Sequence, residues 1–164
     1  MKGKGAERSI IVETVSRVMI PFIQLFSLYV IIHGASGPGG GFQGGVVLGA
    51  SFILYVVVFD ITSGRKRLPE SVNTVLSSLG LYIYAGLGLL CIILSSGVAQ
   101  YLNYGFLPFT TNFEENRALS IELVEIGIGM TVMAIMVSIF FDLAWKEETG
   151  KGKGKQGKEE GNKD

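Results

Sequence analysis

The stretch that decides the fold is Val72–Ala99, VNTVLSSLGLYIYAGLGLLCIILSSGVA, because it contains no charged residue. A helix must present about 20 consecutive, predominantly apolar residues to cross the roughly 30 Å hydrocarbon core of a bilayer. A helix of this length on the surface of a soluble protein would carry a charged or polar face instead. The stretch therefore predicts a membrane-spanning helix.

Three further uncharged or nearly uncharged runs lie at about residues 12–33, 43–60 and 118–145. The chain has 164 residues, of which 48% are hydrophobic and 17% charged, and the charges concentrate between these runs. This distribution predicts an all-α integral membrane protein with four transmembrane helices. Residues 146–164 form a tail of Gly, Lys and Glu that is too polar to pack, and we expect it to be disordered.

The basic residues predict the orientation of the four helices. We expect Arg65, Lys66 and Arg67 to form a tight basic loop that ends at Pro69, and most other Lys and Arg residues lie near the two termini. Arg117 is the exception, because it lies in a loop on the opposite side. Cytoplasmic loops are enriched in Lys and Arg, so both termini should be cytoplasmic and the loop between the first two helices should face outward.

Composition excludes several classes of protein. The formal net charge of zero gives no indication of a nucleic-acid partner. Cys91 is the single cysteine, so the chain cannot hold an iron–sulfur cluster. Neither a metal-ligand spacing nor a nucleophile–base pair is apparent, and we predict no metal, no cofactor and no catalytic residue.

The outward loop is unusually rich in glycine, with seven glycines among the twelve residues 34–45. A phosphate-binding loop would continue with Lys and Ser or Thr, whereas Val46 and Val47 follow here. A flexible linker is the simpler alternative, but Pro38 restricts the backbone and Phe42 offers an anchor. A compact, packed turn is the better prediction. Composition leaves open whether this turn contacts ions or only neighbouring subunits.

Two carboxylates lie inside the fourth predicted helix. Glu122 and Glu125 share one helical face with Gly129, and Glu125 is the deeper of the two. A carboxylate in hydrocarbon is costly, so this face should meet protein or water. Glu125 is a candidate way-station for protons or sodium ions, or a hydrogen-bonding group at a subunit interface. Glu122 is the weaker ion-path candidate because it lies nearer the headgroups.

His33 ends the first predicted helix on the outer side. An imidazole titrates near neutral pH, which makes His33 a candidate titrating group. The alternative is an ordinary interfacial hydrogen-bond donor.

The loop pattern resembles a known family. It runs through the residues Gly34, Pro38, Gly39, Gly40, Gly41, Phe42, Gly44 and Gly45. It is similar to the MnhB (or MrpB) component of Mrp/Mnh-type multi-subunit sodium/proton antiporters, which also occurs within archaeal membrane-bound hydrogenases and sulfane reductases. The run Glu122–Val132 is similar to the final helix of that family, and the resemblance covers about Val15–Asp142. His33 precedes Gly34 where the family commonly has Gly-His-Asn, and Gln43 replaces an apolar residue, which favours the hydrogenase-type branch.

The resemblance implies an accessory, non-catalytic subunit of a sodium/proton antiporter module in the plasma membrane. Its implied partners are the lipid bilayer and other membrane subunits of an antiporter or hydrogenase-type complex, with sodium ions and protons as the transported species. Two alternatives remain open at this point. The chain could be a structural scaffold that bridges larger subunits, or a component of a stand-alone antiporter.

Overall fold

The computed structural model describes residues 10–34, 37–94, 101–104, 107 and 112–160, with side chains as far as residue 144. This part of the chain contains helices and no strand, which confirms the all-α prediction. The helices are α1 (Ile10–Ile32), α2 (Gly41–Phe59), α3 (Ile61–Arg67), α4 (Glu70–Leu94) and α5 (Phe113–Glu160). Residues 95–99, the last part of the predicted third transmembrane helix, lie outside the described part of the chain.

Four helical segments are long and apolar enough to cross a membrane. They are Ile10–Ile32, Gly41–Phe59, Glu70–Leu94 and Phe113–Ala144. Large apolar side chains point away from the protein, as for Phe22, Tyr82 and Ile93, which are 63%, 75% and 75% exposed. An apolar exterior of this kind suits lipid or a neighbouring membrane protein rather than water. The prediction of four transmembrane helices is confirmed.

The long helix α5 occupies the centre of the fold. It packs between α2 and α4, and α1 packs on the other side of α2. Small residues allow this close approach. A Cβ on Gly45 of α2 would lie 2.6 Å from the carbonyl oxygen of Gly129, and a Cβ on Gly127 would lie 2.9 Å from the carbonyl oxygen of Gly80. Glycine at helix contacts is a common packing device in membranes, where van der Waals contact drives association.

Two apolar clusters hold the ends of the bundle together. One lies at the end of the bundle that carries the basic residues of α3, hereafter the basic end, and comprises Val56, Leu68, Val137 and Phe141. The other lies towards the opposite end, hereafter the loop end, and comprises Leu87, Cys91, Leu107 and Val124. Cys91 is completely buried there as a small apolar group.

The structure corrects the predicted tight loop at residues 65–67. These residues belong to the short helix α3, which follows α2 after a break at Asp60, where φ is +94°. Gly64 lies close against Val56, so α3 folds back onto the end of α2. Pro69 explains where α3 stops, because the residue before a proline disfavours helical geometry. The basic segment is therefore an ordered helix rather than a loop.

The predicted disordered tail also differs from the structure. The helix α5 continues through Glu160, so residues 146–160 are helical, and residues 161–164 lie outside the described part. Lys, Glu and Gln favour a helix, but the glycines at positions 150, 152, 154 and 157 oppose it. Extension of the preceding part of α5, which avoids the unfavourable nucleation step, therefore accounts for the helix rather than the composition of the tail.

Asn73, near the start of α4, ties this helix to α5. It is 3% exposed, and its Nδ2 donates hydrogen bonds to the carbonyl oxygen of Ala134 at 2.8 Å and to Oγ of Ser138 at 2.7 Å. Polar side chains commonly hydrogen-bond across helices in membrane proteins. Asn73 was not identified from the sequence. An amide side chain within an apolar helix could have indicated a hydrogen bond to a neighbouring helix.

Candidate functional site

The glycine-rich loop folds back on the end of α1. The backbone N–H of Gly40 donates to the carbonyl oxygen of Val30 at 3.1 Å, and the N–H of Gly37 donates to the carbonyl oxygen of His33 at 2.9 Å. Gly40 has a φ of +145°, which side chains other than hydrogen disfavour. These contacts close the loop over the loop end of the bundle and bring its glycines against α5.

The glycines of this loop surround Glu125 of α5. A Cβ on Gly34 would overlap the Glu125 carboxylate, and one on Gly41 would overlap the backbone of Glu125. A Cβ on Gly40 would lie 3.9 Å from Oε1 of the same residue. We call Gly34, Gly40 and Gly41 the glycine cradle. Because each lacks a side chain, the loop backbone can approach the carboxylate closely.

The Glu125 carboxylate is incompletely satisfied in this cradle. The residue is half-buried, and its Oε2 atom is closed to solvent without a hydrogen-bond partner in the part of the chain that the structure describes. A buried carboxylate oxygen without a donor is energetically unfavourable, and a charged one more so. A proton on Oε2 or a nearby cation would remove the unfavourable negative charge from this enclosed oxygen.

Glu122 lies one turn nearer the start of α5 and is half-buried. Because the two residues are three positions apart on α5, their side chains lie on the same face of the helix at the loop end of the bundle. The structure therefore brings both predicted ion-path candidates together, with Glu125 inside the glycine cradle. The sequence predicted that the two glutamates share a helical face, but it did not predict their contact with the loop.

His33 occupies a different environment from the two glutamates. It is exposed, and its ring stacks on the ring of Tyr29 with a centroid separation of 4.0 Å. His33 follows the last residue of α1, and its backbone N–H donates to the carbonyl oxygen of Tyr29 at 3.0 Å, so the two rings lie one helical turn apart. The role of His33 as a titrating group stays a prediction.

Phe42 does not act as an anchor within this chain. Its side chain is 65% exposed, since α2 turns Gly41, Gly44 and Gly45 towards its neighbours and Phe42 away from them. The loop is held by the backbone contacts of its glycines instead. The sequence could not distinguish these two arrangements, because it does not fix the rotation of α2 about its axis.

Two alanine substitutions in the cradle should have different effects on stability. Alanine at Gly41 meets the backbone of Glu125, which cannot move without shifting α5. We expect Gly41→Ala to lower the free energy of unfolding by about 1–3 kcal/mol, as measured by thermal unfolding in detergent. Alanine at Gly34 meets only the end of a flexible side chain, so Gly34→Ala should unfold near the wild-type temperature. Equal destabilisation by both changes would contradict the cradle geometry.

Comparison with known proteins assigns the chain to a family. Residues 11–138 match the family described as a domain related to the MnhB subunit of the Na+/H+ antiporter. The chain is 29% identical over 136 residues to the B subunit of the Na+/H+ antiporter of Alkalihalophilus pseudofirmus, covering 82% of this chain and 92% of that protein. It is 32% identical over 139 residues to the protein of the same name from Bacillus subtilis, covering 76% and 90% of the two chains.

The fold and the acidic site define a small polytopic membrane protein with a carboxylate enclosed by a glycine-rich turn. The match over residues 11–138 shows that the chain belongs to the MnhB family of Na+/H+ antiporter subunits. The resemblance found from the loop motif is thereby confirmed. Together with the four apolar helices, this makes the chain a multi-pass protein of the cell membrane.

Proposed function

We propose that this chain is an accessory subunit of a multi-subunit sodium/proton antiporter and that Glu125 lies on its ion path. The proposal rests on the surroundings of the Oε2 atom of Glu125. This atom is enclosed by the glycine cradle and has no hydrogen-bond partner among the described residues. Ionisable groups within membrane helices usually mark an ion or proton pathway, because their burial is too costly to serve packing alone.

A single carboxylate can support exchange of the two ions. The same oxygen atoms bind either a proton or a sodium ion, and the two compete because each neutralises the one negative charge. Enclosure of Oε2 by the cradle strengthens this competition, since that oxygen is closed to the water that would stabilise a bare carboxylate. Glu122 increases the negative charge at the site and so favours the arrival of a cation.

The site requires partner subunits to complete a path across the membrane. On α5 the next carboxylate within the described side chains is Asp142, near the basic end of the bundle. At 1.5 Å per residue the two lie about 25 Å apart along the helix axis. No proton transfer spans such a distance directly. We therefore infer that ions received at Glu125 pass to other membrane subunits.

We propose that the basic end of the bundle is cytoplasmic. Arg17 of α1 lies at the same end as Arg65, Lys66 and Arg67 of α3, and the positive-inside rule assigns such an end to the cytoplasm. The glycine cradle then lies near the outer surface. Glu125 would exchange ions with the outer medium through this end.

We further propose that the complex is of the membrane-bound hydrogenase type, in which redox chemistry drives ion translocation. The order His33-Gly34 and the polar Gln43 support this branch of the family over the stand-alone antiporter. With one cysteine, the chain cannot carry an iron–sulfur cluster, so it is a non-catalytic subunit and the redox centres belong to partner chains.

Affinity purification of the full-length chain in mild detergent, followed by mass spectrometry of the associated proteins, tests this assignment. Recovery of antiporter-type membrane subunits together with hydrogenase or sulfane-reductase subunits is the expected result. Recovery of antiporter subunits alone would contradict the redox-driven complex and favour the stand-alone exchanger. Isolation of the chain as a stable, solitary species would contradict its role as an accessory subunit.

A further inference from the structure

A second polar feature lies at the basic end of the bundle, far from Glu125. A cleft of about 380 Å³ opens between α1 and the junction of α2 with α3. The cleft is lined by Arg17, Ile20, Pro21 and Gln24 of α1, by Tyr55 and Phe59 of α2, and by Arg67 of α3. These residues play no part in the proposed antiport.

Two arginines from different helices converge on this cleft. Cζ of Arg17 lies 5.6 Å from the centroid of the Phe59 ring, and Cζ of Arg67 lies 4.7 Å from the centroid of the Tyr55 ring. Cation–π contact restrains a guanidinium without consuming its N–H donors. Nη2 of Arg17 also donates to Oε1 of Glu13 at 2.9 Å, which leaves the other donors of that guanidinium available.

The lining suits an anion that carries both phosphate and hydroxyl oxygens. A guanidinium presents paired N–H donors that match the geometry of phosphate oxygens. Pro21 has no N–H, so the helical carbonyl of Arg17 lacks its usual partner four residues later and can accept a hydrogen bond. Gln24 adds an amide that both donates and accepts.

The surroundings of the cleft indicate that the ligand is a lipid rather than a soluble anion. Val18, Phe22 and Leu25 form the stripe of α1 that adjoins the stripe of Arg17, Pro21 and Gln24, and they are 55%, 63% and 64% exposed. This stripe continues from the cleft into the membrane-spanning part of α1. A phosphate in the cleft would therefore have an apolar surface beside it for its acyl chains. Basic clefts between membrane helices are known to accommodate anionic headgroups.

We propose that this cleft binds the phosphate of an anionic phospholipid of the surrounding leaflet. Arg17 and Arg67 would hold the phosphate oxygens, and Gln24 together with the carbonyl of Arg17 would hold headgroup hydroxyls. The bound lipid would link α1 to α3 across the cleft. This proposal is independent of the role of Glu125.

Native mass spectrometry of the full-length chain in its complex, titrated with phosphatidylglycerol or phosphatidylcholine, tests the proposal. We expect phosphatidylglycerol to bind more tightly than phosphatidylcholine. Each basic residue near an anionic lipid surface contributes about 1 kcal/mol, or about fivefold in affinity, so Arg17→Gln/Arg67→Gln should weaken phosphatidylglycerol binding by about 25-fold. The matched control is Lys66→Gln, which removes a neighbouring exposed charge that does not line the cleft and should change affinity little.

Several results would overturn this proposal. If Lys66→Gln weakened phosphatidylglycerol binding as much as the double arginine variant, binding would depend on diffuse surface charge. If phosphatidylcholine bound as tightly as phosphatidylglycerol, the arginines would not select an anionic lipid. Displacement of the lipid by excess inorganic phosphate would identify a soluble anion as the ligand. A complex that contains no bound lipid, and in which the cleft cross-links to an acidic segment of a partner subunit, would identify a protein contact instead. Circular dichroism checks that each variant is folded. Arg67→Lys keeps the positive charge but loses the planar guanidinium, so its loss of phosphatidylglycerol affinity should be intermediate.

Discussion

Replacement of Glu125 by glutamine should strongly slow sodium-dependent proton antiport while leaving the complex assembled. Glutamine preserves the size of the side chain in the glycine cradle, but it can neither exchange a proton nor balance the charge of a sodium ion. Inverted membrane vesicles that carry the complex should lose their pH gradient on addition of sodium, and the variant should slow this response by about tenfold or more. The measurement is made in a host strain without other sodium/proton antiporters.

Glu122→Gln is the matched control for this experiment. It removes the same charge from the same face of α5, one turn nearer the start of the helix and away from the glycine cradle. We expect it to reduce antiport much less than Glu125→Gln. Normal antiport in an assembled Glu125→Gln complex would contradict the ion-path proposal. Failure of that variant to assemble would instead support the alternative of a purely structural scaffold.

Replacement of Gly45 by leucine should unfold or severely destabilise the protein. A Cβ at this position would lie 2.6 Å from the carbonyl oxygen and 2.9 Å from Cα of Gly129, and 3.1 Å from Cβ of Val132. Two of these atoms belong to the backbone of α5, so the contact can be relieved only by separating α2 from the central helix. We expect a loss of at least about 3 kcal/mol in the free energy of unfolding, measured by thermal unfolding in detergent.

Gly86→Leu provides a control with the same chemical change on α4. A Cβ on Gly86 would meet no atom within 4 Å, so a larger side chain has room there. Because leucine favours the helix over glycine by about 1 kcal/mol or slightly less, Gly86→Leu should be neutral or mildly stabilising. Comparable destabilisation by both substitutions would show that the contact of α2 with α5 does not hold the fold together.

The architecture was largely predictable because its main signal is local in sequence. Long uncharged runs indicate membrane helices on their own, and the run at residues 72–99 did so without reference to any other part of the chain. The wrong predictions concern two segments whose structure depends on the adjoining helix as well as on their own composition. The basic segment at residues 65–67 was expected to be a loop but forms α3, and the polar tail was expected to be disordered but extends α5 through residue 160.

The candidate site was predictable only in part. A carboxylate in an apolar helix identified Glu125, and the clustered glycines identified the loop. Their contact depends on the relative register of α1, α2 and α5, which are distant in sequence, and no local pattern encodes that register. The same reason explains why the stacking of Arg17 on Phe59 and of Arg67 on Tyr55 was not predicted.

We propose that protons and sodium ions compete for the carboxylate of Glu125 inside the glycine cradle. Labelling with a membrane-permeant carbodiimide, which modifies protonated carboxyl groups in apolar surroundings, tests it most directly when the modified residue is located by peptide mass spectrometry. We predict that Glu125 is labelled and that sodium, but not potassium, protects it. Labelling of Glu125 that is unchanged by sodium would contradict the claim.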